Sequence, residues 1–161
     1  MTDYDVPAVS RIAAEVHPKF PESDAVLAER RALYHNGAYL LEVNERPAGY
    51  VLSHPWRLDS LPALDRLLEA LPAEPDTYYI HDLAILPLAR RIGAGDFILE
   101  ALTKHAGAQG FASMSLVAVN GSRGYWERHG FAVEERADLT AKLETYEDAA
   151  RLMLRRLPAA Q

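Results

Sequence analysis

The segment from Thr77 to Gly95 narrows the fold more than any other stretch of the chain. Residues Thr77 to Leu86 are rich in aromatic, aliphatic and β-branched side chains. Their nearly continuous apolar character predicts a strand covered on both faces. Pro87 closes that strand, and residues 93–107 then predict a helix with Phe97, Ile98, Ala101 and Leu102 on one side. A strand buried on both faces and feeding straight into a helix needs a sheet with helices packed on it. The chain therefore reads as α/β.

The flanking sequence fits that class. Val9, Ile12, Ala13 and Val16 recur at helical spacing, with Pro7 suited to the first turn and His17-Pro18 marking the end. Ser23 predicts a second helix, capped by its hydroxyl and running to about His35-Asn36-Gly37. Ala38 to Val43 and Ala48 to Ser53 read as strands joined by the turn-like Asn44-Glu45-Arg46-Pro47, which makes a hairpin. Ser60 and Pro62 predict a helix start, with Leu61, Leu64, Leu67, Leu68 and Leu71 as one apolar stripe and Pro72 and Pro75 as its end. This helix is expected to pack over the sheet, with walling a ligand site as the alternative. Further on, residues 112–119 predict a strand, 122–129 a helix, 131–135 a strand and 151–157 a last strand. With 161 residues and no repeat or low-complexity linker, residues 1–161 are expected to form one domain.

Composition excludes several classes of function. The absence of Cys rules out disulfides, thiol nucleophiles and Cys-ligated zinc. His17, His35, His54, His105 and His129 show neither i, i+4 pairing nor a carboxylate at ligand spacing, so no metal site is expected. The start, MTDYDVPAV, lacks the basic and apolar regions of a secretory signal, and no run of apolar residues approaches membrane-spanning length. A soluble, cytoplasmic protein is expected. The net charge of −6 suits nucleic-acid binding poorly. Acids gather in residues 57–76 (Asp59, Asp65, Glu69, Glu74 and Asp76) and again in residues 134–148. Two readings stand: a solvated acidic face, or a rim that attracts a cationic substrate.

The chemistry concentrates where the strand ends. Leu83-Ala84-Ile85-Leu86-Pro87-Leu88-Ala89-Arg90-Arg91-Ile92-Gly93-Ala94-Gly95 runs from a strand through a turn with two arginines and two glycines into a helix. Glycine admits a ligand close to the backbone. The first amides of a helix lack intrahelical acceptors and sit at the positive end of its dipole. Together they can cradle a pyrophosphate, with Arg90 and Arg91 adding charge. A dinucleotide fingerprint would need a third glycine where Ile98 stands, and a P-loop would need Gly-Lys followed by Ser or Thr. Both are absent, as is the Gly-x-Ser-x-Gly of a serine hydrolase.

Arg90-x-x-Gly93-x-Gly95, following a strand that ends at Pro87, resembles the acetyl-CoA signature of the GCN5-related N-acetyltransferases (GNATs). A second element agrees: Asn120 followed by Tyr125-Trp126-Glu127-Arg128-His129-Gly130-Phe131 is similar to the family's later helix and its Gly-Phe exit. The resemblance reaches from about Ala38 to Phe131. It implies the GNAT fold: a mixed central β-sheet, splayed at the cofactor site and flanked by helices. It also implies an acetyl-CoA-dependent N-acetyltransferase that moves an acetyl group directly to an amine of a small molecule or peptide. On this resemblance Leu83, Ala84 and Ile85 pair with the pantetheine arm. Arg91, Ile92, Gly93, Ala94, Gly95 and Asp96 hold the pyrophosphate, with Arg90 at the family's Arg/Gln position. Asn120 contacts the cofactor beyond the following strand. Homodimers are common in the family, and nothing in this sequence fixes one. The room before Asp3-Tyr4-Asp5 is too short for the family's opening strand, so the sheet is expected to lack it or to recruit only a stub.

An amine is mostly protonated at neutral pH and must lose a proton before it attacks. Tyr79, His81, Leu83 and Ile85 share one strand face, and some family members place a base at the positions of Tyr79 or His81. His81 is the candidate base because imidazole titrates near neutrality. Its alternative is a structural histidine bonded to backbone. Asp82 points to the other face and reads as an anchor, or as the fallback base. Family enzymes often use a tyrosine five residues before the Gly-Phe phenylalanine as general acid, but Trp126 stands there, and its indole is no practical acid. Tyr125, one residue earlier, is the candidate acid, with a packing role as the alternative. A non-catalytic acyl-CoA-binding module is the competing function.

Overall fold

A computed structural model describes residues 1–158. Its helices are α1 (Val6–Val16), α2 (Asp24–Leu33), α3 (Pro87–Arg90), α4 (Ala94–Ala108), α5 (Arg123–Arg128) and α6 (Thr140–Glu144). Its strands are β1 (Ala38–Val43), β2 (Arg46–Trp56), β3 (Thr77–Ile85), β4 (Ser113–Ala118), β5 (Ala132–Val133) and β6 (Arg151–Arg156). The six strands form one mixed sheet in the order β1-β2-β3-β4-β6-β5. β1 and β2 pair antiparallel, β3 runs parallel to β4, and β6 pairs antiparallel with both β4 and β5. The expected α/β class, with a mixed sheet flanked by helices, is the architecture observed.

Contacts divide the chain into two compact units. The first holds residues 1–54, 62–71 and 80–98; the second holds 55–61, 72–79 and the chain from Leu99 onward.

In the first unit, α1 presents Val6, Val9 and Ile12 to a core completed by Leu27, Ala38, Tyr50, Leu52 and Ala84. Burying each such aliphatic side chain is worth about 1.5–3 kcal/mol. Pro7 sits in the first turn of α1, where its missing N–H costs nothing. The hairpin turns on Asn44 and Glu45 alone, both left-handed (φ 51° and 60°). That two-residue turn matches the twist of the flanking strands, so Arg46 and Pro47 already belong to β2. The pairing slips between Leu41↔Gly49 and Glu42↔Pro47, leaving Ala48 as a bulge. The freed Ala48 carbonyl accepts the Leu86 N–H at 2.8 Å, which anchors the exit of β3. Gly49 is required here, since a Cβ would lie 2.8 Å from the Ala84 carbonyl oxygen.

The sequence misled at several places. No helix forms over residues 60–71, despite the leucine spacing. Asp65 and Glu69 adopt left-handed backbone (φ 49° and 65°), and the Leu68 and Glu69 amides donate to the Glu29 carboxylate, both at 2.8 Å. Arg30, fully buried, donates to the Arg66 carbonyl at 2.8 Å. Tertiary partners thus take the groups a helix would have paired, and Leu67 is left exposed. Ser23 does precede α2, but its hydroxyl makes no capping bond; its backbone N–H donates instead to Asp65 Oδ1 at 2.7 Å. On α4 the covered stripe is Gly95, Leu99, Leu102 and Ala106, whereas Phe97 (75% exposed) and Ala101 face outward. Phe97 lies roughly 200° around the helix from Leu99. Among the described residues no strand precedes α1; Asp3–Asp5 form a turn closed by the Asp5 carboxylate on the Thr2 N–H.

The second unit is built on β4 and β6, paired from Ser113↔Arg156 to Ala118↔Arg151. Leu61, Leu139 and Leu152 form a small core there, with Val117 and Leu143 against it. β5 is shorter than expected. Beyond Val133 the ladder gives way, and the Glu134 N–H makes a last bond to the Leu152 carbonyl.

Candidate active site

The exit of β3 sets the geometry of the glycine-bearing loop. With Leu86 held by Ala48, Pro87 opens the single turn of α3, whose Ala89 is buried. Arg90 Nε reaches back to the Ile85 carbonyl at 2.9 Å, stapling the turn to the strand end. Gly93 then takes φ 74°, a left-handed conformation that glycine adopts without strain, and a Cβ there would meet nothing within 4 Å. The space above this residue is open. The Phe97 N–H is taken by the Gly93 carbonyl at 3.0 Å. The Ala94 and Gly95 amides precede this first bond of α4 and have no intrahelical acceptor. Arg91, Ile92 and Asp96 are exposed around them. An acid in the first turn suits the helix dipole, and Asp96 lies on the solvent side.

His81 and Asp82 leave β3 on opposite faces, and each carries a histidine–carboxylate pair. His81 Nε2 lies 2.8 Å from Glu22 Oε2, with both side chains 8% exposed. The buried His54 ring lies 6.1 Å from that of His81, centroid to centroid. On the other face Asp82 Oδ1 is 3.0 Å from His17 Nε2, and Oδ2 accepts the Tyr50 hydroxyl. His17 Nε2 also lies 3.3 Å from the Leu83 carbonyl. Burial pushes the His17 imidazole down, but the bond and charge of Asp82 outweigh it and the pKa is raised. Burial likewise opposes the Asp82 carboxylate, yet His17 and Tyr50 hold it below its usual range. Burial and the neighbouring Asp82 push the Tyr50 hydroxyl well up. Asp82 thus anchors the end of α1 and β2 to β3.

In the second unit Asn120 stands in left-handed backbone (φ 54°) after β4, exposed, with its N–H donating to Glu147 Oε1 at 2.6 Å. Trp126 is buried and its indole N–H donates to Ser122 Oγ at 3.2 Å. Tyr125 packs its ring on Trp126 and His129, with centroids 5.1 and 4.6 Å apart, and its hydroxyl oxygen is buried. The Gly-Phe exit is a helix-ending motif. Gly130 (φ 81°) reverses the chain, the Phe131 N–H bonds the Trp126 carbonyl at 3.1 Å, and the two rings meet edge to face at 5.5 Å.

Sequence reasoning placed His81, Leu83, Ala84 and Ile85 on the strand that leads into the Arg90–Asp96 loop, and the first unit holds them so. Asn120 and Tyr125 lie in the second unit. Sequence reasoning missed Glu22, His17 and Tyr50. Glu22 sits between two helices, 59 residues from His81, where no periodicity signals a partner. The acidic segments proved well occupied: Asp59 pairs with Arg57, Asp138 with Arg136, and Asp76 accepts the Leu58 N–H. These pairings favour a solvated acidic face. Among the described residues no three His, Asp or Glu side chains gather as metal ligands, and no helix is long and apolar enough to cross a membrane.

Comparison with known proteins follows the same lines. Residues 6–131 match the Acetyltransferase (GNAT) family. The fold is similar to Ard1 from Thermoplasma volcanium (TM-score 0.74, 15% identity, 98% of this chain and 95% of that one). It is also similar to the ribosomal-protein-S18-alanine N-acetyltransferase from Escherichia coli (TM-score 0.66, 18% identity, 100% and 93%). A third similar structure is the GphF GNAT-like decarboxylase in complex with isobutyryl-CoA (TM-score 0.76, 14% identity, 98% and 97%). No curated protein matches the sequence.

Proposed function

The chain belongs to the GNAT acetyltransferase family, and from that premise we propose that it acetylates the nitrogen of an amine with acetyl-CoA as donor and His81 as base. The reading takes residues 1–161 as one catalytic domain. The observation that carries it is the junction of β3 with α4: a strand bearing a buried histidine leads through the single turn of α3 to left-handed Gly93 and a 15-residue helix whose first amides lack intrahelical acceptors. That donor set fits a diphosphate. The Ala94 and Gly95 amides offer hydrogen bonds at the positive end of the helix dipole, the space over Gly93 admits the ligand, and Arg91 adds charge. Bound acetyl-CoA supplies the acetyl group as a thioester.

The chain's own residues do the rest. The loop Arg90–Asp96 grips the diphosphate, and the backbone of Leu83 to Ile85 aligns the arm that follows it. Asn120 adds a contact beyond β4. With Nε2 donating to Glu22, the His81 lone pair is on Nδ1, a buried atom that takes the proton an amine must lose once that amine is bound against it. Tyr125 Oη is the candidate proton donor to the departing sulfur.

A thiol-release assay tests this reading, with acetyl-CoA and a panel of polyamines, aminoglycosides, basic amino acids and peptide amino termini. Amine-dependent release is expected. The second reading, a coenzyme-binding module without turnover, is favoured by one observation: the position family enzymes give to an acidic tyrosine holds Trp126, buried and tied to Ser122. Coenzyme A binding by calorimetry with no release from any amine would select it.

A further inference from the structure

We infer that Glu22 is the positioning residue for His81, and that Asp65 holds Glu22 in place through the Ser23 amide. The inference rests on reading His81 as the base.

Three observations carry it. First, the contact of His81 Nε2 with Glu22 Oε2 is short, 2.8 Å, and both side chains are nearly enclosed at 8% exposure. A carboxylate at Nε2 makes that nitrogen the donor, fixes the ring plane and assigns the lone pair to Nδ1. A base works only when its lone pair is aimed at the proton it takes. Second, Glu22 does nothing else visible for the fold. It precedes α2, yet its second oxygen Oε1 is buried without a hydrogen-bond partner and caps no amide.

Third, the segment carrying Glu22 is irregular and is held from outside. The next residue, Ser23, donates its N–H to Asp65 Oδ1 at 2.7 Å. Asp65 adopts left-handed backbone (φ 49°), which aspartate tolerates better than most residues. Its own loop is fastened to α2 by Glu29, which accepts the Leu68 and Glu69 amides. The segment that failed to become a helix thus acts as a brace: α2 holds the loop, the loop holds Ser23, and the neighbouring Glu22 holds His81.

Steady-state kinetics on the full chain test this, using acetyl-CoA and the best amine of the panel. The variants are His81→Gln, Glu22→Gln, their double, Asp65→Ala and Asp65→Asn, each checked for a native melting transition. Glu22→Gln is expected to lower kcat about 10–100-fold with KM for acetyl-CoA held within about twofold. The double variant should be no slower than His81→Gln alone. Asp65→Ala should lower kcat, and Asp65→Asn, whose amide oxygen accepts the same N–H, should restore it. Proton NMR of the unliganded chain gives a second readout: the downfield Nε2 proton of His81 should move upfield in Glu22→Gln, where a neutral amide replaces the carboxylate beside it. Wild-type kcat in Glu22→Gln beside a slow His81→Gln overturns the inference and spares the base. Wild-type kcat in His81→Gln overturns the base itself. Should no amine be turned over, an unchanged Nε2 proton in Glu22→Gln overturns the inference on its own.

Discussion

His17 Nε2 and Asp82 Oδ1 meet at 3.0 Å, tying the residue that ends α1 to the strand position next to His81. The two groups shift in opposite directions, and this sets a pH window. His17 is raised from 6.5, so its contribution to stability is complete below that value and fades as pH climbs through the folded pKa. Asp82 is lowered from 3.8, so its contribution is complete above that value and fades as pH falls through the folded pKa. Both are charged between about pH 4 and 6.5. The melting temperature of the wild-type chain should therefore exceed that of Asp82→Asn by most in this window, with the gap narrowing on either side. A gap that stays constant from pH 4 to 9 would exclude the pair as its source.

Gly93 is needed for its backbone, not for room inside the protein. Because a Cβ there would touch nothing within 4 Å, Gly93→Val leaves packing intact and strains only the left-handed φ of 74°. That strain is worth about 1–2 kcal/mol, and the side chain would stand in the space a diphosphate would take. Calorimetric titration with coenzyme A should show binding weakened at least about tenfold, with a melting temperature lowered only slightly. Unchanged affinity would remove the loop from the binding site.

Gly37 makes the opposite case. A Cβ there would lie 2.0 Å from the Ser53 carbonyl oxygen, a backbone atom that β2 cannot move aside. Gly37→Ala should cost about 3 kcal/mol or more, read by urea unfolding.

These glycines mark how far the sequence could be read. Local rules sufficed where neighbours in sequence are neighbours in space. The Ala38–Val43 strand, the hairpin turn within Asn44–Pro47 and the strand–loop–helix run from Thr77 to Ala108 all follow from spacing and turn chemistry, although the turn itself takes only Asn44 and Glu45. They failed where a distant group outbid the local pattern. Leucines at helical spacing in residues 61–71 predicted a helix, yet Glu29, some 40 positions away, captured the amides that helix needed. Glu22 was invisible for the same reason, since its bond to His81 spans 59 positions. The α4 stripe failed differently. Both faces near Phe97 are apolar enough to qualify, and only the packed structure distinguishes Leu99 from Phe97.

Glu29 should therefore be the weak point of the first unit. Its carboxylate accepts two amides of the 62–71 loop and pairs at 2.6 Å with Arg30, whose side chain is 0% exposed. Glu29→Ala removes a carboxylate paired with a fully buried guanidinium, a loss of about 3–5 kcal/mol. Limited proteolysis should then cut within residues 62–71 before any other site. Cleavage elsewhere first would show that the loop is held by other contacts.

Tyr125 is where packing and chemistry can be separated. Its ring is wedged against Trp126 and His129, so a purely structural role predicts that losing the hydroxyl changes little. Its hydroxyl oxygen is nevertheless buried. As proton donor to the leaving sulfur, Tyr125 should lose about 100-fold in kcat on conversion to Phe, because positioned acids contribute at least that much. KM for acetyl-CoA and the melting temperature should stay near wild type, since ring and packing are preserved. A wild-type kcat in Tyr125→Phe would mean the sulfur leaves without this side chain, consistent with Trp126 occupying the position next to it.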